Sequence, residues 1–203
     1  MKTIDTLIFD LGGVLIDWNP DHLYKKILPE ASDRARFYKD ICTPDWNEEQ
    51  DAGRPIAEAT EALVGQFPEH EELIRAYYGR WEEMLNGPIQ GTVDVMREVK
   101  NSGKYKLIAL TNWSAETFPI ALERYDFLQW FDGRVVSGEE KTRKPFPEIY
   151  QTLISRYAVL PHRAVYIDDN ERNLKPAAEL GMETIHFREP GQFRRDLNDL
   201  GIL

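Results

Sequence analysis

The stretch Thr6–Asn19, TLIFDLGGVLIDWN, decides the fold. An apolar run ends in Asp10, two glycines follow at Gly12 and Gly13, and the chain then turns apolar again. A strand buried on both faces has little use for a charge inside it. A strand that delivers a charge to its own carboxyl end does, because open α/β sheets bind ligands there. Thr3–Asp10 therefore reads as a buried strand ending in a functional carboxylate. Gly12 and Gly13 let the backbone after it approach a ligand closely.

Working outward, Pro20 to Trp81 has a different texture, rich in Glu, Arg and Ala, with Leu, Ile, Tyr and Phe at helical spacing. AEATEALVGQF and EELIRAYYGRWEEML are amphipathic helix patterns, and the segment reads as all-helical. NGPIQG (Asn86–Gly91) is turn chemistry and marks a boundary. Beyond it, helices and strands alternate. TVDVMREVKNSG reads as a helix ending at Gly103, YKLIALTN as a strand, and SAETFPIALERY as a helix with Ser114 as candidate N-cap. GRVVSG is a short strand, and FPEIYQTLISRYA is a helix with Pro147 near its start. RAVYIDDN is a strand, NLKPAAELG a helix stopping at Gly181, and ETIHF a final strand. This alternation predicts an α/β fold, a central parallel sheet covered on both faces. The expected domains are a three-layer core from 1–16 and 88–203, and a small all-helical insert over 17–87 after the first strand.

Bulk properties narrow the function. The chain has 203 residues, 42% hydrophobic and 30% charged, which is enough for one sizeable core. No apolar run approaches the ~18–20 residues that span a bilayer. The start of the chain shows no signal-peptide pattern. Cys42 is the single cysteine, which excludes an internal disulfide and a cysteine-based zinc site. A cytoplasmic protein is expected. The formal charge of −10 speaks against nucleic acid as partner. It would also repel anions at long range, so any phosphate site must be made locally positive.

The strand ends carry the chemistry. Asp10 ends the first strand, Thr111 and Asn112 the second, and Asp168 and Asp169 a later one, while Lys144, followed by Pro145, opens the helix between. Taken singly, each has a bland reading: an aspartate after a strand is usually a turn former or helix cap, and a lone lysine is usually solvated. Together, three carboxylates, a hydroxyl, an amide and an ammonium converge on one rim. Crowded carboxylates repel one another, and a divalent cation relieves the conflict. Hard oxygen ligands suit Mg²⁺, which takes few carboxylates and leaves room for a phosphate.

The motifs FDLGGVL, LTN, RKPFPEIY and YIDDNERNLKPAAELGM resemble those of the haloacid dehalogenase-like (HAD) hydrolase superfamily over essentially the whole chain. They are most similar to the branch of α-D-glucose-1-phosphate phosphatases and the phosphatase domain of soluble epoxide hydrolases. The resemblance implies a Rossmann-like core, a helical cap after the first motif, and Mg²⁺-dependent hydrolysis of a small phosphorylated metabolite, with a sugar phosphate as one candidate. It makes Asp10 the nucleophile that forms an aspartyl-phosphate. Thr111 and Asn112 would hold the phosphoryl oxygens. Lys144 would neutralise charge on that group and on Asp10. Asp169 would bind Mg²⁺ directly and Asp168 directly or through water, with Asp10 and the Gly12 carbonyl completing the metal site. Backbone N–H groups around Gly12 and Gly13 could cradle phosphate. The expected state is a monomer or homodimer without nucleic acid or membrane.

The match breaks at Gly12. Most HAD phosphatases carry an aspartate there as general acid and base. The carbonyl contact survives the change, but the proton donor does not. Two other readings follow: a 2-haloacid dehalogenase, which uses the same aspartate on carbon without metal and usually carries Tyr at this position, and a catalytically weak HAD-like binding protein. Trp113, Trp18 and Trp46 are candidates to line the pocket, Trp113 first. Cys42 reads as an inert buried residue. His22, His70, His162 and His186 read as lying away from the motifs, and Arg54 as a surface residue.

Overall fold

Leu7, Ile8 and Phe9 are wholly buried because strand β1 (Thr6–Phe9) runs through the middle of the main sheet. The computed structural model describes residues 3–203. After β1 come β2 (Ile16–Trp18), five helices α1 (Asp21–Ile27), α2 (Ala31–Asp40), α3 (Pro44–Asp51), α4 (Ile56–Gln66) and α5 (Glu71–Gly79), and then β3 (Leu85–Pro88). The alternating part follows as α6 (Gln90–Ser102), β4 (Lys106–Thr111), α7 (Phe118–Arg124), β5 (Gly133–Val136), α8 (Ser137–Glu140) and α9 (Pro147–Tyr157). It ends with β6 (Ala164–Asp168), α10 (Glu171–Glu179), β7 (Glu183–His186) and α11 (Pro190–Asp199).

The main sheet has the order β5-β4-β1-β6-β7, and every pairing is parallel. Side chains alternate across it. Leu7 and Phe9 join a core with Val93, Met96, Phe193 and Leu197 of α6 and α11. Ile8 points the other way, into a second core with Ile149, Tyr150, Leu174 and Ala177 of α9 and α10. This is the expected three-layer α/β fold. Among the described residues no helix is long and apolar enough to cross a membrane.

Three local expectations are corrected. Asn86–Gly91, read as a turn, instead contributes to β3, which pairs antiparallel with β2. Asn86 Nδ2 donates to Asp17 Oδ2 at 2.9 Å across that pair. Pairing with a strand remote in sequence overrode local turn composition. Ser114 does not cap α7, which starts four residues later at Phe118; its Oγ accepts from the Glu116 N–H inside the intervening turn. Lys144 does not open a helix, since α9 begins at Pro147. Helix α11, with Phe193 and Leu197 buried, was missed by the sequence reading.

Candidate active site

Parallel register brings the motif residues together. Phe9 lies opposite Ala109 on one side and Ile167 on the other, so Asp10, Thr111 and Asp168 emerge at the same sheet edge. The Asp10 N–H donates to the Ile167 carbonyl at 2.9 Å, which holds the carboxylate at the strand end. One oxygen each from Asp10, Asp168 and Asp169 lie within 4.8 Å of one another.

Lys144 is buried at the centre of this group. Its Nζ donates to Asp10 Oδ2 at 2.8 Å, Asp168 Oδ2 at 2.7 Å and the Leu110 carbonyl at 3.1 Å. Three donors meet three acceptors, so the ammonium is fully satisfied without water. Burial opposes its charge, but Asp10 and Asp168 outweigh burial and raise its pKa. Asp168 is equally enclosed. Its oxygens accept from Lys144, the Tyr166 hydroxyl, the Asn170 N–H at 2.8 Å and Asn173 Nδ2. Burial works to raise Asp168, yet Lys144 and these hydrogen bonds hold its carboxyl below the usual range.

Asp10 and Asp169 stand differently. Burial is the main cause that pushes Asp10 up; Lys144 opposes it, and Asp168 and Asp169 add to it. Asp169 is raised by burial and then by Asp168. One buried ammonium thus cannot keep three adjacent carboxylates ionised. A hard divalent cation fits this donor set, because it removes the excess negative charge on the exposed side. Gly13 makes room there. Its φ is +75°, and a Cβ would lie 2.7 Å from Asp169 Cγ. Gly13→Ala is therefore expected to cost more than about 1 kcal/mol and to displace Asp169. A thermal melt and a Mg²⁺ titration of that variant check this together; unchanged metal affinity would refute it.

A cavity of about 550 Å³ opens over this edge. Asp10, Gly12, Gly13, Asn112, Lys144 and Asp169 line it from the sheet, and Asn47, Glu48 and Asp51 of α3 face them with Tyr77 of α5. The Thr111 Oγ1 is buried at the strand end with no hydrogen-bond partner among the described residues, and Thr111 itself does not line the cavity. Asn112 is engaged: its Nδ2 donates to the Lys144 carbonyl at 3.0 Å, and its Oδ1 accepts from the Lys144 N–H at 2.8 Å. Its side chain clamps the Lys144 loop. Trp113 and Trp18 line a smaller neighbouring cavity with Trp81 and Tyr78. Trp46 packs instead against Tyr77 and Tyr78. Cys42 is buried on the cavity wall, and burial pushes its thiol pKa up, which leaves it unreactive.

A model of the haloacid dehalogenase-like hydrolases matches residues 4–181. The chain belongs to that family. A Thermotoga maritima protein named phosphorylated carbohydrates phosphatase is 28% identical over 90% of this chain and 84% of its own length. The magnesium complex of a HAD family enzyme from Bacteroides thetaiotaomicron superposes with a TM-score of 0.71 at 24% identity, covering 94% of this chain and 96% of that one. An L-2-haloacid dehalogenase from Xanthobacter autotrophicus, solved with chloropropionic acid covalently bound, superposes with a TM-score of 0.62 at 14% identity, over 99% of this chain and 85% of that one. At these identities the two structures establish the fold alone.

Several residues of this hydrolase's site were not foreseen. His186, expected to lie away from the motifs, places Nε2 3.0 Å from the Asp169 carbonyl, because β7 pairs His186 with Asp168. Glu48 is held by Arg143 at 2.9 Å and by Arg172. Asp51 reaches the cavity from the end of α3. The acidic spacing of α3 was visible in the sequence, but which face meets the sheet was not. Arg54 pairs with Glu49 at 2.6 Å and Glu58 at 3.5 Å, as a surface residue would.

Proposed function

We propose that this hydrolase is a Mg²⁺-dependent phosphatase that splits a small phosphorylated metabolite, with sugar phosphates the first class to test. The observation that carries the reading is the Asp10, Asp168 and Asp169 cluster around one fully engaged ammonium. Such a set is suited to a divalent cation and a phosphoryl group. In this reading Asp10 Oδ attacks phosphorus and forms an aspartyl-phosphate, which water then hydrolyses. Lys144 orients Asp10 and offsets part of its negative charge, and Thr111 Oγ1 donates to a phosphoryl oxygen. Asp10, Asp169 and the Gly12 carbonyl would hold Mg²⁺, with Asp168, whose oxygens are already engaged, acting through water. Bound Mg²⁺ supplies charge neutralisation on the transferring group. The relative named as a carbohydrate phosphatase supports the substrate class. Residues 1–16 and 88–203 would act as the catalytic core and 17–87 as a cap that excludes bulky substrates. A dehalogenase is disfavoured, since the Asp169 carboxylate lining the cavity would repel a departing halide.

The test is metal removal against a panel of phosphorylated metabolites. Excess EDTA is expected to lower phosphate release by about 10²-fold or more, and Asp169→Asn to do likewise. Mg²⁺ should also stabilise the fold, and more so at about pH 8 than at about pH 5. The raised Asp10 and Asp169 carboxyls favour the folded state when protonated, and that contribution is lost as pH rises through their folded pKa values. The cation restores it. Full activity in EDTA, with no Mg²⁺-dependent shift in Tm, would rule the reading out.

A further inference from the structure

Gly12 leaves the departing oxygen without a proton donor on the sheet side, and the helical side offers one. In-line transfer to Asp10 puts the leaving oxygen on the far side of phosphorus, toward α3. Asp51 lines both the cavity over Asp10 and the smaller aromatic cavity. The two cavities share Gly12, Trp18, Asn47, Asp51 and Asn112, so Asp51 stands where a leaving group would pass from one to the other.

We propose that Asp51 is the general acid and base of the reaction, replacing the function that Gly12 lacks; this rests on the phosphatase reading of the same site. Asp51 is held for the task. Its carbonyl accepts from Ser137 Oγ, which also accepts the Trp113 N–H at 2.8 Å. Its Oδ2 accepts from Asn47 Nδ2 at 3.0 Å. The other titratable groups on this side are unsuited. Glu48 is tied up in ion pairs with Arg143 and Arg172. Cys42, Tyr38 and Tyr77 are pushed up by burial and keep their protons too tightly. For Asp51, burial and then Glu48 raise the carboxyl to about 7, against the opposing Ser114 N–H, Arg143 and Lys144. Tyr77 and Tyr78 of α5 face it as neutral phenols. A donor with a pKa near the working pH is the effective one.

The step balances. An Asp10 oxygen forms a bond to phosphorus, and the phosphorus–leaving oxygen bond breaks with its electron pair going to that oxygen. The Asp51 carboxyl proton passes to the same oxygen, giving a neutral alcohol and an Asp51 carboxylate. That carboxylate then takes a proton from water as the water oxygen bonds to phosphorus. The phosphorus–Asp10 bond breaks, which restores the Asp10 carboxylate and releases inorganic phosphate.

The experiment compares glycerol phosphate with p-nitrophenyl phosphate on the full chain with Mg²⁺. Asp51→Asn is expected to lower kcat/KM on the alkyl ester by about 10²–10⁴-fold, and on the aryl ester, whose leaving oxygen needs no proton, by less than about tenfold. The fall in alkyl activity above about pH 7 should vanish with it. Gly12→Asp placed in the Asp51→Asn background should recover alkyl activity. Gly12 accepts a side chain, because a Cβ there meets nothing within 4 Å and its φ is not positive. An equal loss on both esters, as a merely structural role would give, overturns the proposal, and so does no loss. Absence of any ester hydrolysis by the wild-type chain refutes the phosphatase reading and this proposal with it. A carbon-13 NMR titration separates the two: an Asp51 carboxyl that titrates near 4 overturns the proton-donor role alone.

Discussion

Asp10→Asn is expected to abolish turnover, by about 10⁴-fold or more, in a protein that remains folded. The amide is nearly isosteric with the carboxylate but is no nucleophile toward phosphorus. Asp10 Oδ2 sits 2.8 Å from Lys144 Nζ, and Oδ1 accepts the Leu11 N–H at 2.7 Å, so the side chain is fixed from both sides. Asn keeps an acceptor for one of these groups. It also removes one of the three repelling carboxylates, so the melting temperature without metal should hold steady or rise at about pH 8. Rates on the best ester from the panel, with deamidation excluded by mass spectrometry, decide the matter. A clean variant that retains near-wild-type rates would remove Asp10 from the chemistry.

Lys144→Met is the second large effect, and it acts on stability and activity together. Among the described residues, the ammonium is the only positive charge in contact with Asp10 and Asp168, and it is fully buried. Removing one partner of a buried ionic group costs about 3–5 kcal/mol, because it strands the other charges. For a chain of this length that is a fall in Tm of about 6–20 °C. The loss should be smaller at about pH 5 than at about pH 8, since Asp10, with its raised pKa, can carry a proton at the lower pH. The lysine's own pKa is raised, so its stabilising contribution is present throughout neutral pH and disappears only in strong alkali. Melts at the two pH values test this. A loss under about 1 kcal/mol at about pH 8 would show that the carboxylates do not depend on Lys144.

Asp10, Thr111, Asp168 and Asp169 were legible because each ends an apolar run, and a parallel sheet delivers all its strand ends to one edge. Lys144 was legible only as part of that order. Its burial, and the use of all three of its donors, were not. Asn112 shows the same gap: the sequence places it at the rim, while the folded chain turns its amide onto the Lys144 main chain. The turn residues Asn86–Gly91 misled because β3 exists only through pairing with β2, some seventy positions earlier.

The sequence by itself determined the layer order, the sheet edge where the motif residues gather and the acidic set suited to a cation. These follow from hydrophobic period and strand-end position, which are local or repeat along the chain. The tertiary structure alone decided what faces that edge. Asp51, Glu48 and Tyr77 meet it from α3 and α5, and His186 reaches Asp169 through the β6–β7 pairing. Gly12 and Gly13 look alike in sequence, yet only Gly13 has positive φ and backs onto Asp169. The reason is physical: a helix's apolar stripe shows which side is buried, but what it is buried against depends on the packing of elements far apart in the chain.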